Sequence, residues 1–234
     1  MLLGSPRHHF ASLDSTSLLL KRLAADGAAP GTLVTADAQT AGYGQRGRQW
    51  ASAPGDGLYL SVLLPTPAMP TQLPFVVGLA CQEALESYVS GVGLKWVNDL
   101  VADGRKLGGI LVEVSRGGAI VGIGLNLRTP PLDEAIGLEA LGATPSSEAL
   151  LETLLAHLSD RHARWSQEGF APVLEAWGRA SVTLGRAIQV IGDAPLAGHA
   201  EALGPQGELL VRSPDGVLHT VISGSVRAAT GAYC

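Results

Sequence analysis

The chain has 234 residues, 46% of them hydrophobic, and a formal net charge of −5. That length builds one large or two modest domains with a sizeable core, and the acidic balance argues against nucleic-acid binding, which calls for a basic surface. With no run of eighteen apolar residues and an N-terminus (MLLGSPRHHF) lacking a signal-type apolar segment, neither a membrane span nor a secretory signal is expected; the two cysteines, Cys81 and Cys234, make neither a disulfide framework nor a metal site, and a cytoplasmic protein is expected.

Residues 15–25 read as an amphipathic helix capped by Asp14 or Ser15, with Leu18, Leu19 and Leu23 as its apolar stripe. GTLVTADAQ (31–39) and LYLSVLL (58–64) read as strands on either side of AGYGQRGRQW (41–50). Gly42, Gly44 and Gly47 have the dinucleotide-binding spacing, but that fingerprint must open a helix and the residues after Gly47 have turn and loop composition. What remains is a flexible glycine loop carrying Arg46 and Arg48, able to fold over a phosphate-bearing ligand with backbone N–H groups and guanidinium forks. A second helix spans 73–89, with Pro74 in its first turn and Val76, Val77, Leu79, Ala80, Ala84 and Leu85 facing inward.

The most unusual stretch is 95–126, where KWVNDL, KLGGILVE and GIGLNL follow one another across short turns at Asp103-Gly104 and Gly117-Gly118. Three strands in an antiparallel meander are expected. If both turns are two-residue hairpins, Asp99 lies opposite Gly108, Val101 opposite Lys106, and Asn98, Gly109 and Asn126 form a row; Lys95, Asp99 and Lys106 then share a face, and a slip of one residue would invert it. A sheet centre with two lysines, an aspartate, asparagines and bare glycine exposes charge and backbone to something polar and anionic that lies on it. Residues 132–139 read as a solvated acidic connection that could lie against a ligand. Trp96 reads as a core anchor, and Glu148 to Gly169 and Ala171–Ala180 as two helices. His157 and His162 read as surface residues, and His8, His9, His199 and His219 carry no assigned role. From Gly185 onward, short strands between Gly, Pro and Asp turns have the pattern of a small β-barrel, with the domain boundary near 183–186.

In this order, DST at 14–16, a Gly/Arg loop after Gln39-Thr40, KW-x-ND, KL-x-GIL-x-E and G-x-G-x-N resemble the biotin protein ligases that act on acetyl-CoA carboxylase, over nearly the whole chain. The resemblance implies an α+β fold: a class II aminoacyl-tRNA synthetase-like catalytic core with a mostly antiparallel sheet (1–183) and a C-terminal SH3-like β-barrel (184–234). It implies ATP-dependent formation of biotinyl-5′-AMP and transfer of biotin to a lysine of a biotin carboxyl carrier protein domain of acetyl-CoA carboxylase or a related carboxylase, with ATP and Mg²⁺ as the substrate complex, no tightly bound cofactor, and pairing into a homodimer as in many bacterial ligases. The DST motif begins at Asp14, which leaves no room for the DNA-binding segment of some relatives, so a monofunctional enzyme is expected.

By the same resemblance Lys106, Asp99 and Arg48 are catalytic. Ser15, Thr16, Ser17, Gln39, Gly42, Tyr43, Gly44, Gln45, Lys106 and Gly109 line the biotin site, and Arg46, Arg48, Trp50, Lys95, Asn98, Asp99 and Asn126 the ATP site, with Asp99 also toward Mg²⁺. Many relatives read GRGRRGR where this loop reads GYGQRGR, so Tyr43 and Gln45 replace arginines, one of them associated with retaining the adenylate; Val97 replaces a proline. A lipoate ligase or octanoyltransferase of the same superfamily, and a non-catalytic biotin sensor, are the competing readings.

Overall fold

The computed structural model describes residues 2–192, 195–229 and 233. A seven-stranded sheet runs in the order β1-β2-β3-β7-β6-β5-β4, where β1 is Arg7–Phe10, β2 Leu33–Ala36, β3 Gly57–Leu64, β4 Gly93–Lys95, β5 Asp99–Ala102, β6 Arg105–Ser115 and β7 Gly118–Asn126. Only β1 and β2 pair in parallel; the other neighbours are antiparallel.

Alternation along the central strands assigns the two faces. Leu58, Leu60, Val62 and Leu64 of β3, with Ala119, Val121, Ile123 and Leu125 of β7, enter the main core under helices α2 (Leu73–Glu86), α3 (Ser147–Glu168) and α4 (Ala171–Ala180). The other face is covered at one end by α1 (Thr16–Ala25), over Val34, Leu63 and Ile120. Farther along that face the sequence supplies Ser61, Gly122, Gly124 and Gly109 instead of bulky apolar groups, so the sheet is left open there for a cavity. Helix α1 begins where Ser15 Oγ accepts from Leu18 N. Its buried stripe is Ser17, Leu20 and Ala24; Leu18, Leu19 and Leu23, expected to be that stripe, are only partly buried.

The 95–126 stretch differs from the expected meander in two ways. KWVNDL is not one strand but the tight turn between β4 and β5, which pair with Lys95 opposite Asp99. The register also differs: Asp99 lies opposite Gly109, not Gly108, and Gly109 lies opposite Gly124, not Asn126. Pairing passes from Leu100 opposite Gly108 to Val101 opposite Lys106, a bulge that skips Leu107.

The C-terminal strands β8 (Ala187–Ile191), β9 (Leu196–Leu203), β10 (Leu209–Arg212), β11 (Leu218–Val221) and β12 (Ser225–Ala228) form a second antiparallel sheet in the order β11-β10-β9-β8-β12. It is joined to the first at buried Trp96, whose Nε1 donates to the Gly207 carbonyl at 2.9 Å and whose backbone N–H donates to Thr183 Oγ1 at 3.1 Å. Trp96 is thus the core anchor expected of it. Cys81 is fully buried in α2, and Cys234 lies outside the described residues. Among the described residues no helix is long and apolar enough to cross a membrane. His157 and His162 are partly buried rather than surface groups: His162 packs edge-on against Trp165, and burial lowers its pKa.

Candidate active site

A cavity of about 430 Å³ opens over the bare part of the sheet, bounded by α1, the 40–50 loop, the β4–β5 turn, the 130–135 segment and the second sheet. Its closed end is polar. Thr16 and Ser17, in the first turn of α1, both reach Ser61 Oγ, at 2.8 and 2.9 Å. Gln39 Oε1 accepts from Thr16 N at 2.9 Å, while its Nε2 donates to Ser52 Oγ at 3.0 Å. Every hydroxyl here can rotate to donate or accept, so the group can re-aim toward a ligand that carries both kinds of partner.

The other end is charged. Lys106 Nζ lies 2.5 Å from Asp99 Oδ1, and Lys95 Nζ lies 3.9 Å from Asp99 Oδ2. The bulge is what makes this possible. Strict alternation from Gly109 would put Leu107 on the cavity face and Lys106 in the core; skipping Leu107 sends the leucine into the core and the lysine to the cavity. Two cations around one carboxylate leave a surplus of positive charge for an anionic ligand. Tyr233 also enters this end: its hydroxyl donates to Asp99 Oδ2 at 2.5 Å, and Lys95 Nζ stands 3.4 Å from its ring centroid. Burial, reinforced by Asp99, pushes the Tyr233 phenol up, so it remains a donor.

Between the two ends lies Trp50. Its indole covers Gly124, where a Cβ would come within 2.6 Å of Cε2, and approaches Gly109, where a Cβ would meet Cζ3 at 3.3 Å. The bare glycines expected to lie open to a ligand are therefore largely roofed by the protein's own tryptophan. Lys106 Nζ is 5.2 Å from that ring, and the indole N–H has no hydrogen-bond partner among the described residues.

Of the residues expected at the site, Ser15, Thr16, Ser17, Gln39, Tyr43, Gly44, Gln45, Arg48, Trp50, Lys95, Asn98, Asp99, Lys106, Gly109 and Asn126 line the cavity. Gly42 and Arg46 do not line it. Gly42 is buried where a Cβ would strike the Trp50 carbonyl at 2.8 Å, and Arg46 is exposed with φ 59°. Asn98 and Asn126 are engaged in the frame: Asn98 Nδ2 donates to the Ile110 carbonyl at 2.8 Å, and Asn126 Nδ2 to the Ile136 carbonyl at 3.1 Å. The 132–139 segment is more than a solvated connection. Its backbone pairs with Lys106 on both sides, through Lys106 N to the Glu134 carbonyl at 2.7 Å and Ile136 N to the Lys106 carbonyl at 2.9 Å, and Ala135 to Leu138 are buried.

Missed from the sequence were Leu111, Gly122 and Gly124 of the sheet, Glu134, and Ser225, Arg227 and Tyr233 from the far end of the chain. Arg48 reaches across to Ser225 Oγ at 2.9 Å, and Arg227 pairs with Glu134. Gly122 and Gly124 sit in a motif already visible as G-x-G-x-N; for the C-terminal residues no local signal exists.

The chain matches the Biotin/lipoate A/B protein ligase family over residues 9–129 and the Biotin protein ligase C terminal domain over 183–227. The bifunctional ligase/repressor BirA of Escherichia coli is 32% identical over 212 residues, covering 84% of this chain and 66% of that protein; the chain thus spans just under two thirds of its length. The biotin--[acetyl-CoA-carboxylase] ligase of Paracoccus denitrificans is 34% identical over 229 residues, covering 88% of this chain and 94% of the relative. The structure of a biotin protein ligase from Aquifex aeolicus in complex with biotin and ATP matches with a TM-score of 0.85 at 29% identity, covering 96% of this chain and all of that one.

Proposed function

The chain belongs to the biotin/lipoate protein ligase family, and from that premise we propose that it is a biotin protein ligase, which joins biotin to ATP as biotinyl-5′-AMP with release of diphosphate and then passes the biotinyl group to a carrier lysine with release of AMP. The observation that carries the reading is the cavity's polarity: neutral donors and acceptors at the closed end, a lysine pair around Asp99 at the other. A ureido ring presents two N–H donors and one carbonyl, which Thr16, Ser17, Ser61 and Gln39 can answer. A dithiolane or an alkyl end offers neither and would leave those buried groups facing carbon, which disfavours the lipoyl alternative.

Activation brings a carboxylate against the anionic α-phosphate, so positive charge must already be in place. Lys106 is the cation that the bulge turns to the cavity floor; it neutralises the biotin carboxylate and then the charge that gathers at phosphorus. Asp99 holds Lys106 and Lys95 at that spot. Mg²⁺ enters with ATP, since it prefers oxygen ligands and keeps its waters, and Asp99 is the carboxylate that could reach it. Arg48 and Trp50 belong with the nucleotide, and Ser15, Gly44 and Gln45 with biotin. In the second step the carrier lysine must lose a proton to attack, and Asp99 accepts or orients it.

The remaining expectations belong to the same reading: a class II aminoacyl-tRNA synthetase-like core over 1–183, supported by the largely antiparallel seven-stranded sheet; an SH3-like barrel over 184–234, supported by the five short strands; a biotin carboxyl carrier domain as partner; a cytoplasmic location; and pairing of two copies. The test is AMP release from MgATP with biotin or lipoate, each with and without a biotin carboxyl carrier domain, followed by the mass of that domain. A gain of one biotinyl group that disappears in Lys106→Ala supports the reading. AMP release with lipoate alone moves the chain to the lipoyl branch, and none with either acid leaves a binding protein.

A further inference from the structure

Tyr43 lines the cavity, and two side chains outside that lining, Lys21 and Glu113, hold it. Lys21 projects from α1, Glu113 from β6 and Tyr43 from the glycine loop, and they meet in a closed triangle. Lys21 Nζ is 2.6 Å from Glu113 Oε1 and donates to the Tyr43 hydroxyl at 3.0 Å, and that hydroxyl donates to Glu113 Oε2 at 2.8 Å. Lys21 and Glu113 are each less than a third exposed. Burial alone would lower the Lys21 pKa, but the bonds to Glu113 and Tyr43 outweigh it and raise it overall, while burial pushes the Tyr43 phenol up; both groups keep their protons at neutral pH.

The triangle joins three elements that are far apart in sequence, and Tyr43 is the loop's contribution. From Tyr43 the loop folds back on itself, Gly44 N to the Arg48 carbonyl at 2.8 Å and Trp50 N to the Gly42 carbonyl at 2.9 Å. Its far side is tied at Arg48 to Ser225. A segment with three glycines in six residues has a high entropy cost of ordering, and these are the contacts that offset it.

We propose that Lys21, Glu113 and Tyr43 form a clasp that holds the glycine loop closed beside the cavity before substrate arrives, making Tyr43 a positioning residue that sets how long the reactive adenylate is retained. The second half of this rests on the ligase reading; the first does not. The clasp also supplies, through a neutral phenol between two charged groups, a hold on the loop.

The test uses the full chain without ligand, with trypsin cleavage after Arg46 and Arg48 followed by mass spectrometry, alongside the dissociation rate of bound biotinyl-AMP. Tyr43→Phe keeps the ring and removes the hydroxyl; Glu113→Gln removes the charge at the opposite corner. Each is expected to speed loop cleavage about tenfold, the effect of losing one hydrogen bond to a charged partner, and to speed adenylate loss by a similar factor, with the melting temperature little changed. Equal loop cleavage in wild type and both variants overturns the clasp, as does cleavage spread over the whole chain together with a lowered melting temperature. A wild type that binds no biotinyl-AMP overturns the ligase reading and the retention half, and leaves the cleavage arm to decide the clasp alone.

Discussion

Lys106 is placed by a backbone irregularity, which brings its ammonium to the cavity face beside Asp99. Replacing it with alanine is expected to lower the rate of adenylate formation by about 10²- to 10³-fold, the usual cost of removing one preorganised charge from a transition state; a loss of less than tenfold in a burst assay would move that role elsewhere. Asp99 is more constrained, since one oxygen faces Lys106 and the other accepts from Tyr233. Asp99→Asn is expected to slow single-turnover transfer from preformed adenylate to the carrier lysine. If adenylate formation fell and transfer stayed intact, Asp99 would be a holder of lysines and not a handler of the carrier's proton. Gln45 lines the cavity and carries no charge where the family resemblance calls for arginine, so Gln45→Arg is expected to slow adenylate release several-fold. An off-rate that did not fall would remove the idea that this loop leaks for want of charge.

At the level of elements, the glycine-rich strands are complementary to one tryptophan. Gly124→Ala would drive a methyl group into the Trp50 indole, and the overpacking costs about 1–3 kcal/mol; it is expected to weaken biotinyl-AMP binding about tenfold or more, whereas an unchanged Kd would mean that the ring moves aside freely. The same strands show what the chain discloses by itself. Charged and amide side chains inside Val- and Ile-rich runs are anomalies visible without any partner, so Lys95, Asp99 and Lys106 could be named as neighbours from sequence. The bulge at Leu107 could not, because nothing in KLGGI distinguishes a strand that skips a residue from one that does not. Nor could the KWVNDL turn: Trp96 and Val97 favour strands by propensity, yet they are used where the chain reverses. In α1 three consecutive leucines offer two overlapping stripes, and the one buried includes Ser17 and Ala24, small residues that let the helix approach the sheet closely.

For the whole molecule, the cavity is closed by groups more than a hundred residues apart, and this accounts for the part of the site that sequence reading missed. Ser225, Arg227 and Tyr233 reach the cavity because Trp96, Thr183 and Gly207 hold the second sheet against the first, a consequence of tertiary packing with no local signature. Arg227 and Glu134 form the ionic contact between the second sheet and the segment that brackets Lys106. The Arg227 hydrogen bond holds the Glu134 carboxyl below its ordinary value of 4.5. A depressed carboxyl contributes stability above its unfolded pKa and loses it as pH falls through the folded one. Both side chains are more than a third exposed, so solvent screens the pair and its contribution is small. Arg227→Gln is therefore expected to lower the melting temperature at pH 7 by about 2 °C or less. The gap from wild type should close as pH falls below 4.5, and shrink in high salt. If the gap persisted in acid, Arg227 would be holding the segment by packing of its aliphatic stem, and the contact would not make docking of the second sheet sensitive to pH.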